Sequence, residues 1–190
     1  MISHRLKELI RPVVFVEYFI WFTVTGSIIF YFVFVYIYVG YGRARHLGSS
    51  DCLEAVLYAA AAIITVSSIL YRRYTLADER LMKILSGGID IHKLGKTQML
   101  GKNRRGNSSD IESLSELEKK VLSLTCDIQK NTYINLIINE AVAILGLVLA
   151  FLSGDPYRMI PFGIVSLLLN VWMFPRLRAL SDKARYLFRA

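Results

Sequence analysis

At 190 residues, 54% of them hydrophobic and with positive mean hydropathy, the chain has the composition of a membrane protein. Its formal net charge of +8 would suggest nucleic acid in a soluble protein, but the basic residues fall mostly in those stretches outside the apolar runs that would share one side of a membrane, which argues against nucleic-acid binding. The two cysteines and three histidines fit no metal-ligand spacing, and no nucleophile–base pair is legible, so neither a metal, a cofactor nor an enzymatic activity is expected.

Four apolar runs, 13–39, 52–71, 132–153 and 159–174, are each near the length that crosses a bilayer as a helix, about 17–25 residues. If all four cross, 20 of the 23 Lys and Arg residues fall on one side. By the positive-inside rule, both termini and the long middle loop are then cytoplasmic. Basic residues at that face would be drawn to anionic lipid headgroups.

The first run follows Arg5, Lys7 and Arg11 but is too long for a signal peptide and lacks a small-residue cleavage site, so it reads as a retained anchor. Its aromatic and β-branched residues, Trp21, Phe30, Tyr31, Phe32 and Phe34 among them, read as lipid-facing; Tyr36, Tyr38 and Tyr41 suggest an interfacial belt. Helix is enforced here because lipid offers backbone groups no partner. Glu17 lies at shallow depth. It either snorkels toward Arg11 and the headgroups or, if spans one and three are neighbours, shares a proton or cation with Glu140.

The second run carries Ala55, Ala59 and Ala62 among further Ala and Ser residues, which suggests a helix held inside the bundle. Glu54 reads as an outer-interface residue, and Tyr71 to Tyr74 as the cytoplasmic interface. Thr75 is then expected to cap a short helix ending at Ser86, before Gly87 and Gly88. Residues 101–110 contain no apolar side chain and should be mobile. Gly95-Lys96-Thr97 is not a phosphate loop, since that motif needs glycine where Asp90 stands.

Helix should resume at a capping box, Ser113-Leu-Ser-Glu116. Leu114, Leu117, Val121, Leu124 and Ile128 then form a seam that could pack on the 75–86 helix or on a second copy. No breaker separates it from the third run, so one helix of about 60 Å could cover 113–152. Cys126 falls in the cytoplasm and Cys52 outside, which argues against a disulfide between them. Within the third run Gly146, Ala150 and Gly154 make a small-residue stripe for helix packing. The turn at 154–157 makes runs three and four an antiparallel hairpin, with Pro161 in the first turn of the last helix and Pro175 ending it.

Glu140 is the main chemical candidate. It stands about 12 Å along its helix from the cytoplasmic end, where an acidic residue must be protonated, paired or wetted. Asn135 and Asn139 are within hydrogen-bonding reach. The carboxylate is either a pin between helices or an ion- or proton-binding group.

The stretch from Glu140 through Gly146 and Ala150 to Gly154 resembles the carboxylate-bearing helix of rotary ATPase c subunits. With Pro161-Phe162 and Phe174-Pro175-Arg176, residues 133–176 are also similar to the second hairpin of small bacterial four-helix membrane proteins of unassigned function. The resemblance implies ion or proton binding at Glu140 and a bacterial inner-membrane location. The first hairpin lacks the c-subunit glycine ladder and a long charged loop replaces that family's short one, so rotary function is not implied.

The expected fold is all-α, with four transmembrane helices in two hairpins (1–74 and 132–190) joined by a cytoplasmic helical insertion (75–131). The expected role is non-enzymatic, assembling with itself or with a partner membrane complex. The alternative is proton- or cation-linked transport through Glu140.

Overall fold

The computed structural model describes residues 4–40, 51–77, 79–82 and 113–174, and every regular element among them is helical. The helices are α1 (His4–Gly40), α2 (Asp51–Thr75), α3 (Glu116–Ser153) and α4 (Ile160–Trp172), with a 3₁₀ turn at Pro156–Met159 between the last two. Three helices are long and apolar enough to cross a membrane, over Glu8–Val39, Asp51–Thr75 and Glu116–Ser153. The 13 residues of α4 span only about 20 Å. The expected features at 41–50, 83–112 and 175–190, including Tyr41, the helix end at Ser86, the polar tract and the basic tail, lie outside the described residues.

The chain divides into two compact units. The first comprises Met1–Ile20, Arg73–Thr132 and Pro175–Ala190. In it, Leu6 and Val13 of α1 pack with Leu114, Val121, Leu122 and Cys126. Gln129 Nε2 donates to the carbonyl of Val13 at 3.1 Å. The seam expected on α3 is therefore partly rotated: Leu114, Val121, Leu124 and Ile128 are buried, but Leu117 is 46% exposed, and the start of α1 covers Leu114 and Val121. The helical residues 79–82 also meet α3, through Arg80 and Asp127 at 3.5 Å.

Two helix ends differ from expectation. Thr75 is the last residue of α2 rather than a residue beyond it. The capping box of α3 is Ser115 and Glu118: the Glu118 N–H donates to Ser115 Oγ (3.3 Å) and the Ser115 N–H to Glu118 Oε2 (3.1 Å). Two overlapping Ser-x-x-Glu patterns exist here, and only the second leaves Leu114 free to enter the core. From that cap α3 runs unbroken to Ser153, as the lack of a breaker suggested.

The second unit comprises Trp21–Arg72 and Tyr133–Phe174. Its contacts define an up-down-up-down bundle. Along α1 and α3, Ser27 and Tyr31 meet Glu140, and Phe34 meets Phe151 one level on (5.9 Å between centroids), so these helices are parallel. Along α2, Ser68 meets Asn139, Ala61 packs with Val142 and Leu149, and Glu54 pairs with Arg158, so α2 runs antiparallel to α3. Helix α4 is antiparallel to α3 as well, since Asn170 meets Asn139 while Met159 packs with Ala150.

Glycines set the tightest approaches. A Cβ on Gly146 would sit 2.5 Å from Phe162 Cβ, and one on Gly163 would overlap the ring of Phe32. Gly154 has φ 69° and donates its N–H to Ala150 O at 3.0 Å. That left-handed residue ends α3, so Gly154 serves the turn and does not extend the packing stripe of Gly146 and Ala150. Asp155 then accepts from the Tyr157 N–H at 3.0 Å, fixing the hairpin. Pro161 stands in the first turn of α4, where a missing N–H costs little.

The alanines of α2 overturn one expectation. Ala55, Ala59 and Ala62 are exposed, and on this helix only Ala61, Ser68 and Thr75 are buried. Beside them runs an apolar groove of about 320 Å³, lined by Tyr58, Ala62 and Val66 of α2 and by Pro161, Phe162 and Val165 of α4.

Candidate functional site

The second unit holds two adjoining polar groups in an otherwise apolar bundle. The first ties all four of its helices together. Asn139 Oδ1 accepts from Ser68 Oγ at 2.5 Å, its Nδ2 donates to Asn170 Oδ1 at 3.0 Å, and its backbone carbonyl accepts from Ser166 Oγ at 2.7 Å. Asn135 Oδ1 lies 3.2 Å from the same Ser68 hydroxyl. Trp21 closes the set by donating Nε1–H to the Asn170 carbonyl at 2.8 Å. Asn135, Asn139, Ser166 and Asn170 are all at most 1% exposed.

Helical spacing explains the arrangement. Asn135 and Asn139 are one turn apart and so share a face of α3; Ser166 and Asn170 do the same on α4. In lipid each amide must find a partner within the protein, and these faces supply one another. Trp21 and Tyr31 were expected to face lipid with the other aromatics of α1. Trp21 is only 8% exposed and its N–H is bonded internally, while Tyr31 turns toward Glu140. Phe32 likewise lies against Gly163 of α4. Phe30, by contrast, is 65% exposed.

The second group centres on Glu140, half-buried one residue beyond Asn139. One position turns the side chain by about 100° around α3, from the α2 and α4 side to that of α1. Its Oε1 accepts from Ser27 Oγ and Tyr31 OH, both at 2.8 Å. Ser27 Oγ also lies 2.7 Å from the Val24 carbonyl, a contact within its own helix. Among the described residues no basic side chain is paired with Glu140. The carboxyl thus presents an oxygen fixed by two hydroxyls, an arrangement that suits a proton or a small cation as well as a structural pin.

Glu17 belongs to the other unit. It is 1% exposed, and its Oε2 has no hydrogen-bond partner among the described residues. Glu54 is part of an ion-pair set at the far end of the second unit. Arg158 bonds it directly and lies 3.7 Å from Asp155, joining the start of α2 to the α3–α4 turn. At the opposite end, Arg72 stacks over Trp172 (4.1 Å to the ring centroid) and donates to that residue's backbone carbonyl. The small residues divide: Gly146 and Ala150 lie at packed contacts, Gly154 is in the turn, and Ala55, Ala59 and Ala62 stand outside.

The sequence pointed to Asn135, Asn139 and Glu140 but not to Ser27, Ser68, Ser166, Asn170, Trp21 or Tyr31. Asn170, an amide inside an apolar run, was the available signal. The serines give none, because a helical serine can satisfy its hydroxyl on its own backbone, as Ser153 does with the Leu149 carbonyl at 2.8 Å. No group of three or more potential metal ligands occurs among the described residues. Comparison with protein-family profiles, with curated proteins and with solved structures gives no match.

Proposed function

We propose that the chain crosses the bilayer four times, with both termini cytoplasmic, as a non-enzymatic inner-membrane protein that assembles with a second copy of itself. The observation that carries this reading is the open alanine face of α2. Ala55, Ala59 and Ala62 fall at intervals of four and three, all exposed, beside a concave apolar groove. Small residues allow close backbone approach between helices in lipid, where association is driven by packing. The antiparallel course of α4 against α3, joined by a tight turn, supports a fourth crossing. Basic residues at the cytoplasmic ends would hold that face against anionic headgroups. The mass of the protein in lipid nanodiscs tests the assembly. The wild type should exceed a monomer and Ala59→Leu should reduce it to one; a wild-type monomer would sink the proposal.

A second reading is favoured by one specific observation, the two hydroxyls that converge on Glu140. On this reading Glu140 binds a proton or small cation, with Ser27 and Tyr31 holding its carboxyl and Asn135 and Asn139 lending polarity to the neighbouring face of α3. Glu140→Gln keeps the shape and removes the ionisable oxygen. Proton or sodium flux in reconstituted vesicles that does not change in Glu140→Gln would exclude this reading.

A further inference from the structure

The apolar groove of the second unit runs between α2 and α4, two helices that take the same course along α3. Tyr58, Ala62 and Val66 of α2 and Pro161 and Val165 of α4 form its sides. Ala61, Val142 and Phe162, each at most 8% exposed, form its floor. Tyr58 and Phe162 meet ring against ring at 4.7 Å, so the two helices are already in contact beneath it. From Tyr58 to Val66 the groove follows α2 for about 12 Å. A further helix, about 10–12 Å across with its side chains, lies over such a rim without reaching the floor. A side chain or an acyl chain reaches it.

The chemistry at the end of the groove decides between these two. Glu54 stands one turn before Tyr58 on α2, and Arg158 three residues before Pro161. Arg158 bonds Glu54 through Nη1 and lies 3.7 Å from Asp155 through Nε, while its Nη2 has no partner among the described residues. Two carboxylates against one guanidinium leave this set one negative charge, and Asp51, exposed in the first turn of α2, adds another. The three side chains of the set stay partly open, at 27%, 35% and 46% exposed. The groove therefore ends on acceptors for a cation that carries N–H groups, beside one donor nitrogen for an anion. An apolar side chain would use neither. A phospholipid with a primary ammonium headgroup uses both, with its ammonium on the surplus carboxylate and a phosphate oxygen on Arg158 Nη2. A choline headgroup has no N–H to donate, and a glycerol headgroup brings a net negative charge to a set that is already negative.

We propose that the groove is a lipid site selective for a zwitterionic phospholipid with a primary ammonium headgroup, phosphatidylethanolamine. One acyl chain lies between α2 and α4, and the headgroup rests on Glu54, Asp155 and Arg158. The proposal rests on the membrane placement of the second unit and goes beyond the assembly reading. Ala55 and Ala59 are absent from the lining, so the assembly face and the lipid occupy different flanks of α2 and share only Ala62.

Native mass spectrometry of the full chain tests this, after release from vesicles with equal amounts of phosphatidylethanolamine, phosphatidylglycerol and phosphatidylcholine of matched acyl chains. One spectrum reads both the retained lipid and the number of protein copies. The wild type should retain phosphatidylethanolamine about tenfold over either other lipid, the scale of one charge-assisted hydrogen bond. Glu54→Gln takes a negative charge from the set and should shift retention toward phosphatidylglycerol. Asp155→Asn makes the same change should Glu54→Gln fail to fold. Val165→Phe fills the groove from α4, leaves the alanines untouched and should lower retention of every lipid; Ala62→Phe repeats this from α2. Equal retention of the three lipids by the wild type, a preference for phosphatidylglycerol, a headgroup preference indifferent to the charge variants, or retention unchanged by the groove variants would each overturn the proposal. A monomer that retains phosphatidylethanolamine would remove the assembly reading and leave the lipid site standing. An oligomer that retains none would do the reverse.

Discussion

Asn139 engages three partners on two helices through both ends of its amide and its backbone carbonyl. Replacing it by leucine takes the Asn139 donor from Asn170 Oδ1 and leaves Ser68 Oγ only the longer contact with Asn135 Oδ1 (3.2 Å), in a water-poor setting. Asn139→Leu should therefore destabilise the bundle by about 1–3 kcal/mol, read as a lower unfolding midpoint in SDS titration of the lipid-bound protein. An unchanged midpoint would mean that the cluster does not hold the helices. The glycines offer a matched pair at the same scale. Gly146→Ala drives a methyl group into Phe162 and should cost about 1–3 kcal/mol. Gly26→Ala meets nothing within 4 Å and should be neutral or stabilising by up to about 1 kcal/mol. Equal effects at the two positions in the same titration would contradict the α3–α4 contact. Residue by residue, the sequence reveals that an amide in an apolar run needs a partner. It does not reveal which helix supplies one, because that depends on rotations set by the whole bundle.

Among the elements, α3 was the most legible, since thirty-eight residues without a breaker run as one helix. Its start was misread by two residues because Ser113 and Ser115 both precede a glutamate at the right spacing. Ser115→Ala should cost about 0.5–2 kcal/mol at this helix end, seen as faster hydrogen exchange over residues 116–119; unchanged exchange there would contradict the cap. Helix α2 was legible in length but not in placement. Small residues announce close packing without saying whether the partner is in the same chain, and here Ala55, Ala59 and Ala62 face outward. The cysteines report on the two surroundings. Cys52 is exposed and Cys126 is packed with Leu6, Val13 and Leu122. A maleimide should label Cys52 in the folded protein and Cys126 only after unfolding. Comparable rates at both would contradict the packing of α3 on the start of α1.

For the whole molecule, composition and run length suffice to read an all-helical chain with at least three membrane-length helices. The fourth is harder, because α4 is short and owes its place to α3: glycine-mediated contact at Gly146, a cap at Asp155, and hydrogen bonds at Asn170 and Ser166. Charge asymmetry contributes an orientation, with twenty of 23 basic residues on one side if all four helices cross. The number of crossings is the claim on which the assembly face stands. Its most direct test is the sidedness of Cys52 relative to an epitope added after Ala190, in intact and permeabilised cells. Four crossings predict Cys52 labelled by an impermeant maleimide in intact cells, with the C-terminal epitope reached only after permeabilisation. An epitope found on the same side as Cys52 would mean that α4 does not cross, and would contradict the account.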